Sequence, residues 1–154
     1  MSIVEVIQLM LAPGLMISAC ALLLLGMNNK YSIVVNRIRL LNEERRRIIN
    51  KTKGEYTTID NVRLTSISNQ LNRLTERVEI IRNAVMSYTI AVALFVLTSL
   101  FIGIGFYTGS EGMNIPVTVF FLAGMITVLT GVAFATYETK KGCDIVKFEV
   151  ISDE

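Results

Sequence analysis

Three long apolar segments constrain this chain more than any other feature of its sequence. They cover residues 3–27, 84–107 and 115–137, and each is close to the roughly 20 residues that an α-helix needs to cross the hydrocarbon core of a bilayer. Hydrophobic residues make up 52% of the chain and charged residues only 18%, which is typical of integral membrane proteins. We predict an all-α integral membrane protein with three transmembrane helices.

Basic residues are confined to one side of the predicted membrane. All 15 Lys and Arg residues lie in 28–83 or after Glu138, whereas the charged residues on the other side are Glu5 and Glu111. Loops rich in Lys and Arg stay in the cytoplasm. We therefore expect a multi-pass protein of the cell (plasma) membrane, with the N-terminus outside and both 28–83 and the C-terminus in the cytoplasm.

The insert between the first two apolar segments carries a helical pattern. Its apolar residues recur at alternating spacings of three and four, the spacing of a heptad seam. A weaker seam precedes the main one, with Gly54 between them as a candidate helix end, so we predict an antiparallel, coiled-coil-like helical hairpin. The seam residues are Leu64, Ile67, Leu71, Leu74, Val78 and Ile81 in the second helix of the hairpin, and Ile38 and Leu41 in the first.

Two local features complete this division of the chain. Pro13 lies inside the first apolar segment, and since a proline removes one helical hydrogen bond, it either kinks that helix or begins a new one. After Gly142 apolar and polar residues alternate, which predicts a short strand-like tail. The parts are the first transmembrane segment 1–27, the hairpin 28–83, the second and third transmembrane helices 84–137 with an outer turn at 108–114, and the cytoplasmic tail 138–154.

The basic residues just after the first segment admit two interpretations. Lys and Arg at this position fix the orientation of a membrane helix and are solvated. They also attract anionic lipid head groups, provided that they lie within about a Debye length of the surface. The candidates near enough are Lys30, Arg37 and Arg39. We expect no nucleic-acid binding, because the insert lacks a large basic excess and a recognisable motif.

Small and hydroxyl-bearing residues share one side of the third apolar segment: Gly124, Thr127, Thr130 and Gly131. Such a face lets helices pack closely, within one subunit or between subunits. In a ring of subunits the same face could line a weakly polar pore. No Asp, Glu, Lys or Arg lies near the middle of the predicted spans, and His is absent from the chain, which argues against proton pumps and ion-coupled transporters.

Motifs of enzymes and of metal sites are missing from the sequence. It has no glycine-rich phosphate loop, no set of Cys and His ligands and no nucleophile with a nearby base. We therefore expect no enzyme activity, no cofactor and no metal.

Cys20 is expected to be a small packing residue. The stretch ISAC around it looks like a lipoprotein cleavage site, but no basic region precedes it and the apolar run continues past it.

Two stretches carry a family resemblance. They are MLAPGLMISACALLLLGMNNKYSIVVNRIRLLNEERR and LTERVEIIRNAVMSYTIAVALFVLTSLFIG, and they resemble the prokaryotic membrane-protein family known as domain of unknown function 2721. The resemblance extends over roughly residues 8–135. It implies three membrane spans and a helical insert, and it assigns no activity and no site residue.

The expected function is association within a membrane. A homo-oligomeric scaffold or regulatory protein, assembling through the helical hairpin and the small-residue helix faces, needs no chemistry that the sequence lacks. An oligomeric ion channel lined by the third helix is one alternative, and an accessory subunit of a membrane enzyme is another. The expected partners are the lipid bilayer and further copies of the chain.

Overall fold

The computed structural model of this protein describes residues 3–51, 58–109, 112 and 114–151, and its elements are three long helices. Each helix is long and apolar enough to span a membrane. The predicted all-α fold with three such helices is therefore confirmed. The helices are α1 (Ile3–Lys51), α2 (Thr58–Thr108) and α3 (Asn114–Ile151).

Helices α1 and α2 are much longer than a membrane is thick. The 49 residues of α1 and the 51 of α2 each extend roughly 75 Å at a rise of 1.5 Å per residue. Pro13 lies inside α1, which is helical on both sides of it. Residues 28–51 of α1 and 58–83 of α2, which we call the stalk, thus continue the same helices that contain the apolar segments.

The middle helix holds the fold together, because α2 packs along both α1 and α3 whereas α1 and α3 barely touch each other. Buried residues recur every seven positions, as in left-handed helix pairs. On α2 the buried residues facing the two neighbours include Ile81, Tyr88 and Phe95. On α1 they are Val6, Pro13, Cys20, Met27, Val34 and Leu41.

Two hydrophobic clusters follow one another along this packed face. One contains Met27, Val34 and Ile81, and the other contains Cys20 and Phe95. The expectation that Cys20 is a packing residue is confirmed, since it is fully buried. The same face of α1 therefore packs against α2 in both the apolar part and the stalk.

Helix ends account for the remaining backbone features. α2 ends at Thr108 and is followed by Gly109, whose φ of 63° is the left-handed conformation that glycine adopts after helices. Pro116 lies in the first turn of α3, where its missing N–H group has no helical acceptor. The predicted helix end at Gly54 lies outside the described residues.

One detail of the predicted tail is not confirmed. A strand was expected after Gly142, but α3 continues as helix to Ile151. An isolated strand leaves its backbone N–H and C=O groups without partners, whereas a helix satisfies them within its own segment. The alternation of apolar and polar residues was therefore not enough to predict a strand.

Candidate functional site

A buried carboxylate lies where the third apolar segment ends. Glu138 follows directly after that segment, and its side chain is only 1% exposed. The sequence marked this residue as a boundary and gave it no role. A buried charge is costly unless it is paired and hydrogen-bonded, so its surroundings decide what it does.

Each of the other two helices supplies a cation to Glu138. Lys30 on α1 donates from Nζ to Oε2 at 3.1 Å, and Arg77 on α2 donates from Nη2 to Oε1 at 2.6 Å. Lys30 Nζ also donates to Thr139 Oγ1 at 2.9 Å. We call Glu138, Lys30, Arg77 and Thr139 the Glu138 cluster. It connects all three helices at one level of the molecule.

The two cations of the cluster are unequally enclosed. The Lys30 side chain is 45% exposed and the Arg77 side chain 25%. Arg77 Nε is buried and has no hydrogen-bond partner within the described part of the chain. The carboxylate of Glu138 and the two cations Lys30 and Arg77 together have a net charge of about +1. The cluster therefore connects the helices by ion pairs and is also weakly cationic.

The seven-residue spacing explains why these side chains meet. Gly124, Gly131 and Glu138 follow one another at intervals of seven, and all three are buried, so they share the face of α3 that packs on α2. Lys30 lies three residues after buried Met27. The buried faces of α1 and α3 therefore continue past the apolar segments, and the charged side chains of Lys30 and Glu138 meet there.

Aromatic rings of α2 fill the space beside the two α3 glycines. A Cβ atom placed on Gly124 would lie 2.8 Å from Phe95 Cε1, and one placed on Gly131 would lie 2.7 Å from Tyr88 Cε1. Real Cβ atoms do not approach other atoms so closely. Glycine at these two positions is therefore what lets α3 lie against the rings of α2.

The two threonines of the predicted small face differ in their exposure. Thr127 is half-buried, and its hydroxyl donates to the Ala123 carbonyl oxygen at 2.8 Å. Thr130 is exposed and donates to the Ile126 carbonyl oxygen at 2.9 Å. Both hydroxyls thus bond within their own helix.

Three of the predicted seam residues, Ile38, Leu74 and Val78, pack against the cluster that contains Val34 and Ile81. None of the predicted seam residues is exposed, and Ile67, Ile81 and Leu41 are buried. Near the far end of the stalk, Arg63 donates from Nε and Nη2 to Glu44 Oε1 at 2.9 and 2.7 Å. The half-buried members of the seam are Leu64, Leu71, Leu74, Val78 and Ile38.

The three candidate lipid contacts separate into two kinds. Lys30 belongs to the Glu138 cluster, whereas Arg37 and Arg39 are exposed on α1. Within the described residues no group of three or more His, Cys, Asp or Glu side chains could hold a metal ion. The arrangement offers charge pairing between helices and exposed cations near the end of the apolar part.

Sequence reasoning missed the Glu138 cluster because its members are far apart in the chain. Lys30 and Glu138 are 108 positions apart, and Arg77 and Glu138 are 61 apart. One usable signal existed. Glu138 is the single acidic residue at the end of an apolar segment on the side that carries all the basic residues, and such a residue needs a cation when its helix is packed.

These features define an all-α, multi-pass membrane protein with three helices long and apolar enough to cross a bilayer. The chain belongs to the family described as protein of unknown function (DUF2721), whose model matches residues 10–148. No curated protein and no solved structure matches the chain.

Proposed function

We propose that this protein is a non-enzymatic, homo-oligomeric membrane scaffold or regulatory protein that projects a stiff helical stalk into the cytoplasm. The observation that carries the proposal is the continuity of the buried face of α1. Its seven-residue repeat runs from Val6 in the apolar part to Leu41 in the stalk. A partner bound to the stalk is then mechanically connected to the membrane helices.

Exposed apolar side chains on the stalk support association with another chain. Ile33 and Leu40 are 70% and 61% exposed, and Val62 is 67% exposed. Leu40 lies ten residues beyond Lys30, or roughly 15 Å along the helix. The head-group layer of each leaflet is only about 5–7 Å thick, so lipid would not cover Leu40 in an upright stalk.

The alternative of an ion channel lined by α3 has less support. A pore would need the small-residue face to be open, but Gly124 and Gly131 lie against rings of α2 in the same chain. The alternative of an accessory subunit to a membrane enzyme has no specific observation in its favour. Both predict assemblies that differ from a simple pair of chains.

Contact with anionic lipid accompanies the scaffold proposal. Lys30 Nζ already donates to Glu138 and Thr139, so Arg37 and Arg39 are the stronger candidates of the original three. Each exposed basic residue near an anionic surface contributes about 1 kcal/mol to membrane attraction. This term orients the stalk and does not replace association with a second chain.

The mass of the protein in lipid nanodiscs tests the proposal. Native mass spectrometry is expected to give at least two copies of the 17.1 kDa chain per disc at protein-to-disc ratios that leave most discs empty. A single chain in nearly every occupied disc would overturn the homo-oligomeric function. A closed ring of four or more copies would instead favour the channel, and ion flux through liposomes would then be measured.

A further inference from the structure

We propose that two copies of this protein pair in parallel through the outer face of α1, the face that points away from α2. This inference rests on the proposed homo-oligomeric function and names its interface. The outer face consists of Ala12, Ala19, Gly26, Ile33 and Leu40, together with the residues three positions after the first four of them, and it ends before Glu43. All five are exposed, and α3 leaves this side of α1 open because the two helices barely touch.

The composition of this face changes where the apolar segment ends. Within that segment it presents Ala12, Ala19 and Gly26, and a Cβ placed on Gly26 would meet no atom within 4 Å. Small residues at a repeat of seven let two membrane helices approach closely. In the stalk the same repeat continues with Ile33 and Leu40, where burial of apolar side chains drives association in water. The same face of α1 therefore has small residues for close packing in the membrane and apolar residues for association in water.

The intervening positions of the face carry Leu15, Leu22, Asn29 and Asn36, so the spacing alternates between three and four. This is the seam of a two-helix pair. The asparagines are exposed, and in a pair each can hydrogen-bond to its counterpart in the second copy. Polar seam residues of this kind fix register and favour pairing of like with like, which is why the occupant is a second copy.

Membrane insertion and charge both favour the parallel arrangement. All copies insert with the same orientation when basic residues determine it, so neighbouring α1 helices run in the same direction. Arg39 and Glu44 then flank the seam on opposite sides, five residues apart. In a parallel pair such positions face each other across the interface, which places Arg39 of one copy near Glu44 of the second copy, whose Oε1 already accepts from Arg63 of its own chain.

Disulfide cross-linking tests this interface directly. In a background carrying Cys20→Ala and Cys143→Ser, single variants Ile33→Cys and Leu40→Cys are oxidised in native membranes. A parallel seam brings each residue next to its own counterpart, within the Cα separation of roughly 4.4–6.8 Å that a disulfide needs. Both variants are expected to give a cross-linked product of twice 17.1 kDa.

The matched control is Asn42→Cys, which is also exposed on α1 but lies off the proposed seam. It is expected to cross-link about tenfold less, because its counterpart is too distant for a disulfide. Equal cross-linking at 40 and 42 would indicate random collision and overturn the interface.

The nanodisc mass separates failure of this interface from failure of the proposed function. Two copies per disc without cross-linking at 33 and 40 would keep the homo-oligomer and reject this face of α1. One copy per disc without cross-linking would reject both. Two copies per disc with cross-linking at 33 and 40 and little at 42 would support both.

Discussion

Glu138 shows how one residue can connect three helices. Its carboxylate is almost fully enclosed, and both of its oxygens accept bonds from cations on other helices. Since α1 and α3 barely touch, the bond from Lys30 to Glu138 is a direct link between two helices that are otherwise held together through α2. A buried carboxylate with one partner can lose more free energy to desolvation than it gains from pairing, and Glu138 has two cationic partners.

Glu138→Gln is expected to destabilise the fold by about 3 kcal/mol, near the low end for removing one partner from a buried ion pair. The substitution keeps the shape of the side chain but leaves Lys30 and Arg77 without a counter-charge. Arg63→Gln is the control, because the Glu44–Arg63 pair is much more exposed and such pairs contribute less than about 1 kcal/mol. The free energy of unfolding would be measured by circular dichroism in mixed micelles. Equal losses in the two variants would contradict a structural role for the Glu138 cluster.

At the scale of the helices, the sequence predicts the elements well and their packed faces only in part. The stalk seam is readable because water distinguishes apolar from polar positions. Inside the apolar segments lipid is as apolar as the core, so the buried side of α1, with Pro13 and Cys20, is no more apolar than its exposed side. The glycines at 124 and 131 were readable as a packing face, but their ring partners Tyr88 and Phe95 were not. Contacts between distant segments depend on register, which no local pattern contains.

Gly131→Ala is expected to destabilise the packing of α3 on α2 by about 1–3 kcal/mol, the usual cost of an added carbon in a filled space. The new Cβ would lie 2.7 Å from Tyr88 Cε1, so the ring or the helix must move. Thermal unfolding would measure the loss. Gly14→Ala is the control, since a Cβ there meets no atom within 4 Å, and it should change stability little. If the clash is the cause, Gly131→Ala should cost less stability in a Tyr88→Leu background than in the unmodified chain, and an equal cost in both backgrounds would point to another cause.

At the scale of the whole molecule, the proposed functions depend on which side of the membrane holds the stalk. The helices fix only that the stalk and the end of α3 lie on the same side, because Lys30 and Arg77 contact Glu138. The distribution of Lys and Arg residues indicates which side of the membrane the stalk occupies. With all 15 basic residues on the stalk side, translocating that side would move every one of them across the bilayer, whereas the opposite orientation moves none.

We therefore expect the stalk in the cytoplasm and the turn between α2 and α3 outside. In a background carrying Cys20→Ala and Cys143→Ser, Asn114→Cys at the start of α3 should react with a membrane-impermeant maleimide in intact cells. Asn61→Cys on the stalk should react only after permeabilisation. Both positions are exposed, so accessibility to the reagent depends on the side of the membrane rather than on burial. The reversed pattern would place the stalk outside and contradict the proposed cytoplasmic scaffold.

The pairing of two α1 helices would survive that result, because both copies would still insert in the same direction. Labelling of both variants in intact cells would indicate two orientations of the chain, and the parallel interface would then be restricted to copies that share one of them.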